Sequence, residues 1–353
     1  MLCKITMKKI TFFLSSLLLV LSSCSEDGLH ALVQSMSTRD KVAQLLVAHH
    51  YNPEIDSLVT RDHIGGVIVM VSTLEEVNTL IPRLKAESQI PLFTCIDAEW
   101  GAQMRLREDF KRLPYACEIE SAEQAYEVGY KIGQEVDSLG LAVNLAPVCD
   151  VNTNPNNPVI GFRAFGDNVQ QVSDFASAYA KGMKAAGVGA CAKHFPGHGD
   201  TSVDSHKGLP VVAHDRARLD SVELAPFRRM IAEDVDMVMM GHLSVPALDA
   251  SGVPSSISKP IYDLLRNELG FKGVIVTDGL MMRGLLDMFD GDDVAASVAA
   301  YEAGADMLLG ARSVRNIIDA ITAKVESGDF PMKELDAKVY RVLELKKKLH
   351  IIQ

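Results

Sequence analysis

The sequence has few aromatic residues and no closely spaced cysteine pair. Aromatic side chains make up 6% of the 353 residues, with a single Trp, and none of the six cysteines stands in a Cys-x-x-Cys pair. The missing pairs argue against a zinc or thiol-redox site. Cys95, Cys149 and Cys191 lie in apolar runs, so we interpret them as small buried hydrophobic residues and expect no essential disulfide.

Positive charge is also scarce. Lys and Arg number 35 against 46 Asp and Glu, which leaves a formal charge of −11 at pH 7. A surface of this sign repels phosphate backbones, so we expect no nucleic-acid partner. The 48% hydrophobic content and the even spread of charge exclude a mostly disordered chain.

Only the N-terminus carries a long apolar segment. Three lysines between positions 4 and 9 precede the apolar run Ile10–Leu21, which is too short for a comfortable membrane span. The run ends in Leu-Ser-Ser-Cys24, which resembles a bacterial lipobox. We therefore interpret residues 1–23 as a lipoprotein signal peptide, Cys24 as the lipidated residue and residues 24–36 as a tether.

The lipobox predicts where the protein resides. Two or three acyl chains hold a protein stably at a membrane, whereas a single chain does not. We expect a cell-envelope lipoprotein, on the periplasmic side of a membrane or at the cell surface, that contacts the membrane through this anchor. The alternative is an ordinary secretory signal followed by an incidental cysteine.

Short apolar runs alternate with longer amphipathic stretches after the tether. Continuous apolar strands separated by helices indicate an α/β protein with a covered parallel sheet. Eight such units predict a (β/α)8 TIM barrel that forms a single catalytic domain over residues 37–353. The alternative is an open doubly wound sheet, against which the lack of a Gly-rich dinucleotide fingerprint argues. The eight runs are Leu45–His49, Gly66–Val71, Leu92–Asp97, Ala142–Asp150, Val188–His194, Met237–His242, Val274–Asp278 and Met307–Ala311.

The predicted helices follow the same alternation. Five stretches have helical spacing of their apolar residues, and the C-terminal stretch Met332–Leu349 adds another. The five are Ala122–Leu139, Val169–Ala186, Ser221–Glu233, Lys259–Leu269 and Asp292–Ala303.

Acids and bases collect where the strands end. Catalytic groups of a barrel lie at the C-terminal ends of its strands, and Asp97, Asp150, His242 and Asp278 all close predicted strands. Two long loops, Asn152–Asn168 and Pro196–Pro210, leave the same end, and long loops in a compact domain are usually functional or mobile.

The stretch Lys193–His206 is the densest in ionisable residues. It contains three His, two Asp and a Lys. A zinc site is one interpretation, but a His-x-x-x-His pair converges only on a helix, which Pro196 prevents. Proton transfer is the other, because a turn lets Asp204 orient His206 as an acid/base. A histidine capped locally by an aspartate remains the structural alternative.

The same stretch resembles the signature of bacterial β-N-acetylglucosaminidases in glycoside hydrolase family 3. It matches Lys-His-Phe-Pro-Gly-His-Gly followed after four residues by Asp-Ser-His. Asp97–Gly101 with Arg105, Asn154–Arg163 and Gly273–Asp278 resemble further motifs of the family. The resemblance covers residues 36–350 and implies the barrel fold.

The resemblance also implies roles for eight residues. Asp278 matches the nucleophile, His206 the general acid/base and Asp204 its orienting partner. Five others match residues that hold the N-acetylglucosamine (GlcNAc) ring: Asp97, Arg105, Arg163, Lys193 and His194. The implied enzyme is a retaining exo-β-N-acetylglucosaminidase acting on terminal GlcNAc of glycans or peptidoglycan fragments, with no cofactor and no metal.

Three alternatives stay open beside this activity. One is a family 3 β-glycosidase or phosphorylase of other sugar specificity. Another is a lipid-anchored glycan-binding protein without catalysis, and the last is a metal-dependent barrel hydrolase. The sequence departs from the family pattern at Trp100, which replaces a glycine and either stacks on a sugar or fills a loop. We expect His198 to shape its loop, His242 to bond within the barrel and Asp150 to brace the site.

Overall fold

A computed structural model describes residues 26–352. Eight short strands alternate with helices, and the strands are apolar and buried because helices cover them on the outside. The strands are β1 Leu46–His49, β2 Gly66–Val69, β3 Phe93–Ile96, β4 Val143–Asn144, β5 Gly189–Phe195, β6 Met237–Met240, β7 Val274–Thr277 and β8 Leu308–Leu309.

Helices connect and flank the strands. Their order is α1 Glu26–Ser35, α2 Thr38–Ala43, α3 Ile55–Thr60, α4 Leu74–Glu87, α5 Ala122–Ser138, α6 Val169–Ala185, α7 Arg216–Ser221, α8 Ala225–Ala232, α9 Lys259–Asp263, α10 Arg283–Leu286, α11 Asp293–Ala303, α12 Val314–Ser327 and α13 Met332–Lys348. Local capping sets several of these bounds: α5 begins after Ser121, whose hydroxyl accepts from the Gln124 N–H.

The sheet closes into a barrel. All neighbouring strands are parallel, in the order β7-β6-β5-β4-β3-β2-β1-β8. β7 meets β8 through the Thr277 N–H, which donates to the Met307 carbonyl at 3.1 Å, and through the Leu280 N–H, which donates to Leu309 at 2.9 Å. This closure confirms the predicted (β/α)8 barrel and excludes the open sheet.

Three predicted elements differ from the observed ones. The predicted helix Ser221–Glu233 begins later, as α8 at Ala225, since Pro226 favours a first turn there, and Ser221 instead ends α7. The predicted strand Ala142–Asp150 is regular for only two residues, because Pro147 has no N–H to donate to a neighbouring strand. The predicted run Met307–Ala311 is likewise reduced to Leu308–Leu309.

The prediction of a tether over residues 24–36 is wrong for its described part. Residues 26–35 form α1, which packs against the barrel rather than hanging free. Leu29 and Val33 are each 1% exposed, and the His30 ring stacks on Tyr340 of α13 with centroids 4.4 Å apart. The reason is an apolar stripe at helical spacing, Leu29, Leu32, Val33 and Met36.

The signal peptide and the lipidation of Cys24 lie outside the described residues. Across residues 26–352, the helices are too short or too polar to span a bilayer. Cys95, Cys149 and Cys191 are buried free thiols, as predicted, and Cys117 is an exposed one.

Candidate active site

A cavity of about 270 Å³ opens at the C-terminal end of the barrel strands. Strand ends and the loops that follow them supply its walls. Seven of the eight predicted site residues line it: Asp97, Arg105, Arg163, Lys193, His194, His206 and Asp278. The eighth, Asp204, does not line the cavity but is hydrogen-bonded to His206.

Lys193 stands at the centre of a buried ion cluster. Its Nζ lies 2.9 Å from Asp97 Oδ1 and 2.7 Å from Glu99 Oε1, and its side chain is 2% exposed. Arg105 Nη2 donates to the second oxygen of Asp97 at 2.7 Å. Arg163 binds Glu99 through two parallel bonds of 2.8 and 2.9 Å. Three cations thus surround two carboxylates, which allows all five groups to stay charged.

The pKa values follow from this arrangement. Burial raises the pKa of the Asp97 carboxyl, but the charges of Lys193 and Arg105 outweigh it and bring the pKa to about 2. The pKa of Glu99 is also well below its usual range, since Arg163 and Lys193 overcome its burial. Burial lowers the pKa of Lys193, but the charges of Asp97 and Glu99 outweigh burial and raise the pKa above its ordinary value. Near neutral pH the cluster therefore presents fixed charges, which make strong and directional hydrogen bonds.

His194 is oriented by a buried aspartate. Its Nδ1 lies 2.7 Å from Asp150 Oδ2, and its Nε2 lies 3.3 Å from Arg163 Nη2. A guanidinium can only donate, so Nε2 accepts and the proton on Nδ1 is donated to Asp150. The other oxygen of Asp150 accepts from the His198 backbone N–H at 2.7 Å. Asp150 thereby braces two parts of the site, as predicted.

Asp278 directly follows β7 and lines the cavity. Its Oδ1 accepts from the Gly279 N–H at 2.7 Å. Burial raises the pKa of this carboxyl, but nearby His194 and His242, together with the Gly279 N–H, lower it below the ordinary value. Asp278 is thus held as a carboxylate, the form that a nucleophile requires.

His242 contributes no lining atom. Its Nε2 lies 3.0 Å from the Gly279 carbonyl and its Nδ1 lies 2.7 Å from the Ser256 hydroxyl. This bond places His242 next to Gly279, the residue that follows Asp278. As predicted, His242 bonds within the barrel.

His206 and Asp204 form a pair in the loop after β5. Asp204 Oδ1 accepts from the His206 backbone N–H at 2.9 Å and lies 2.8 Å from Nδ1 of the ring. Burial raises the pKa of Asp204, but its bonds to His206 lower it overall. Because a carboxylate only accepts, Nδ1 donates to it and Nε2 is left for another partner. The His206 side chain is 62% exposed, so that partner can come from solution.

Hydrogen bonds hold this loop against its neighbours. His198 Nδ1 lies 2.6 Å from the Thr201 hydroxyl, and its Nε2 lies 3.3 Å from the Ser205 hydroxyl. The amide of Asn157 donates to the carbonyls of His198 and Gly199 at 2.8 and 3.1 Å. The two long loops are therefore joined, and His198 shapes its loop as expected.

Sequence reasoning missed the part that Glu99 plays. Glu99 was visible in the Asp-x-Glu that ends β3, but local spacing does not reveal its partners. They are Arg163, 64 residues away, and Lys193. Within residues 26–352, no three His, Cys, Asp or Glu side chains are grouped as a metal ion would require.

Known proteins resemble this chain over most of its length. Beta-hexosaminidase A of Pseudoalteromonas piscicida is 37% identical over 333 residues, which cover 84% of this chain and 55% of that protein. Beta-hexosaminidase LpqI of Mycobacterium tuberculosis is 34% identical over 340 residues, 92% of this chain and 86% of that protein. The chain thus spans little more than half the length of the first of these relatives.

Solved structures resemble the chain equally closely. The structure of a glycoside hydrolase family 3 beta-N-acetylglucosaminidase from Paenibacillus matches with a TM-score of 0.84 and 38% identity, covering 90% of this chain and 63% of that one. The model of the glycosyl hydrolase family 3 N-terminal domain matches residues 37–345, which are nearly the whole barrel. With its closed barrel and acidic cavity residues, the chain belongs to glycosyl hydrolase family 3.

Proposed function

We propose that this chain is a retaining exo-β-N-acetylglucosaminidase that removes terminal GlcNAc from glycans or peptidoglycan fragments. One observation carries the proposal: Asp278 and His206 line the same cavity as the charged cluster around Lys193. A carboxylate, a histidine and fixed hydrogen-bonding charges in one cavity are what glycoside hydrolysis needs. The names of the relatives support GlcNAc-type sugars as the substrate.

Asp278 acts first in this mechanism. Its carboxylate attacks the anomeric carbon, a C–O bond to Asp278 forms and the bond to the leaving group breaks. His206 Nε2 gives a proton to the departing oxygen. Water, deprotonated by His206, then attacks the same carbon, releases Asp278 and restores the proton to His206. Two inversions give net retention.

Asp204 acts through His206. It holds the Nδ1 proton at 2.8 Å, so the proton is exchanged at Nε2. The lowered pKa of Asp204 keeps it a carboxylate, the form that accepts the Nδ1 proton of His206. Most glycosidases use a second carboxylic acid for this step; here a histidine–aspartate pair takes its place.

The charged cluster binds the sugar. Asp97, Arg105, Arg163, Lys193 and His194 present acceptors and donors at fixed positions, and Glu99 holds Arg163 and Lys193 in place. A cavity of about 270 Å³ is small for a ligand site, since such sites start at about 300 Å³. It therefore suits one terminal ring better than an internal stretch of polymer.

A panel of p-nitrophenyl β-glycosides carrying GlcNAc, GalNAc and glucose tests the activity. We expect GlcNAc to be released fastest, first as the β-anomer by NMR, and at a rate that phosphate does not change. Formation of GlcNAc 1-phosphate would instead identify a phosphorylase. Faster cleavage of the glucoside would contradict the sugar specificity.

The nucleophile is tested by Asp278→Asn. The amide is close in size to the carboxylate but cannot attack, so we expect no measurable turnover in a protein whose circular dichroism and melting temperature are those of the wild type. Ordinary kcat in a folded Asp278→Asn protein would overturn the assignment.

Cys24 is proposed as the site of lipid attachment, after removal of residues 1–23. The support is the Leu-Ser-Ser-Cys sequence behind a short apolar segment with basic residues before it. The enzyme would then act in the cell envelope, on the periplasmic side of a membrane or at the cell surface, where peptidoglycan fragments occur.

A further inference from the structure

Three aromatic rings form a cluster at the rim of the cavity. The Trp100 ring lies 5.2 Å from Tyr115 and 5.7 Å from Phe162, and Tyr115 lies 4.7 Å from Phe162, measured between centroids. Trp100 is the only Trp of the chain. In a protein with so few aromatic residues, three of them meet beside the candidate active site.

The chain connects this cluster directly to the sugar-binding charges. Trp100 follows Glu99, and Phe162 precedes Arg163. Glu99 and Arg163 are bonded to each other in the wall of the cavity, at 2.8 and 2.9 Å. Their ion pair therefore fixes where the two neighbouring rings stand. Trp100 lines the cavity beside Met104 and Val159, which gives this side of it an apolar edge.

The cluster is contacted by a cation and is partly open to solvent. The Arg112 guanidinium lies 4.2 Å from the centre of the Tyr115 ring, and Arg112 is itself paired with Glu118 at 2.6 Å. Phe162 by contrast is 48% exposed. A rigid, partly exposed aromatic surface next to a ligand cavity is characteristic of a binding site.

We propose that Trp100 and Phe162 form a subsite for the second pyranose ring of the substrate, the one that leaves. This inference rests on the proposed exo-glycosidase function, in which the terminal ring occupies the charged cavity. The C–H face of a pyranose is apolar and flat, so it stacks on an aromatic ring, while its hydroxyls remain in water. The occupant is thus a sugar ring of a GlcNAc-containing glycan.

Two substrates distinguish binding at this subsite from binding in the rest of the site. The disaccharide GlcNAc-β-1,4-GlcNAc carries the second ring, whereas methyl β-GlcNAc has a methyl group in its place. For Phe162→Ala and Trp100→Ala we expect kcat/KM on the disaccharide to fall by about 2- to 10-fold each, the usual worth of an aromatic contact. The same variants should lose less on the methyl glycoside, because it has no second ring to stack on the subsite.

Control variants make the comparison specific. Tyr126→Ala removes an exposed aromatic ring from α5, outside the cavity, and should change kcat/KM on neither substrate. Trp100→Phe keeps a ring and should restore part of the lost rate on the disaccharide. Equal losses on both substrates, or no loss on the disaccharide, would overturn the subsite.

Binding provides a readout that does not need turnover. Trp100 is the sole Trp, so its fluorescence reports this subsite alone. In the Asp278→Asn protein we expect the disaccharide to shift the Trp100 emission and GlcNAc monosaccharide to leave it nearly unchanged. If the wild type cleaves neither substrate, the proposed function fails. This titration then tests the subsite by itself. A Trp100 emission that the disaccharide leaves unchanged excludes the subsite.

Discussion

At the scale of single residues, the site depends on charges that hold one another in place. Lys193 is buried, yet stays charged because Asp97 and Glu99 lie within 2.9 Å of its amine. Removing one partner of such a buried group costs more than an exposed ion pair is worth, because the remaining charge is left uncompensated. Changes to these residues should therefore affect folding as well as the proposed binding of sugar.

Asp97→Asn tests that coupling through pH. The pKa of Asp97 is about 2 in the folded protein, below its ordinary value of 3.8, so its contribution to stability is present above pH 4 and is lost as pH falls towards 2. The difference between the two pKa values corresponds to about 2 kcal/mol in the free energy of unfolding. We expect the free energy of unfolding of the wild type to fall more steeply between pH 4 and pH 2 than that of Asp97→Asn, as measured by urea unfolding. Parallel slopes would show that Asp97 is not held ionised by Lys193 and Arg105.

His206 should matter most when the leaving group is poor. If Nε2 protonates the departing oxygen, His206→Ala should slow cleavage of a GlcNAc disaccharide by about 100- to 10,000-fold, but should slow cleavage of a p-nitrophenyl glycoside far less. Asp204→Ala should show the same pattern more mildly, since it removes orientation and not the proton carrier. Equal losses of kcat on both substrates would indicate that Asp204 and His206 have a structural role instead.

At the scale of elements, the most extensive helix–helix contact within residues 26–352 is between α5 and α6. A Cβ added at Gly129 would lie 2.1 Å from the Tyr179 carbonyl oxygen, and one at Gly182 would lie 2.1 Å from that of Tyr126. The two backbones can approach this closely only because both positions lack a side chain. The contact matters for the site because Tyr179 also reaches inward, where its hydroxyl donates to the Glu99 carbonyl at 3.0 Å.

Gly129→Ala should force these helices apart. Alanine favours a helix more than glycine does, but here the added methyl group overlaps the Tyr179 backbone. We expect a net destabilisation of about 1–3 kcal/mol, typical of overpacking, measured by urea unfolding. Glu127→Ala, on an exposed position of the same helix, is the control and should have little effect. A Gly129→Ala protein as stable as the control would contradict the close contact.

At the scale of the whole molecule, the chain enters the barrel at the end opposite to the candidate active site. Leu29 of α1 shares a cavity with Asp236 and Gly273, the residues that precede β6 and β7. Asp278 and the charged cluster lie beyond the other ends of the strands.

Cys24→Ala tests the anchor. Without the thiol, no acyl chain can be attached, so we expect the protein to leave the membrane fraction or to remain unprocessed. Released protein should cleave soluble p-nitrophenyl β-GlcNAc as fast per mole as the wild type. Mass spectrometry of the wild type should show acylation at Cys24, and an unacylated wild type in the soluble fraction would rule the anchor out.

Much of this protein could be predicted from its sequence because it rests on short-range patterns. Eight apolar runs that alternate with amphipathic stretches predicted the barrel, and a two-residue spacing predicted the Asp204–His206 hydrogen bond. Prediction was weaker where one residue changes the local path, as at Pro147 and Pro226. It was wrong for residues 26–35, where the acidic start concealed the apolar stripe of α1.

Only the tertiary structure decided the contacts between distant parts of the chain. Lys193 and Asp97 are 96 residues apart, and Arg163 and Glu99 are 64 residues apart. No local spacing pairs them, because the parallel pairing of β3, β4 and β5 is what brings the ends of β3 and β5 and the loop after β4 together. The aromatic cluster of Trp100, Tyr115 and Phe162 depends on the same pairing, because its rings lie on the segments that follow β3 and β4. The sequence by itself determined which residues stand at the strand ends, and the three-dimensional packing determined which of them meet.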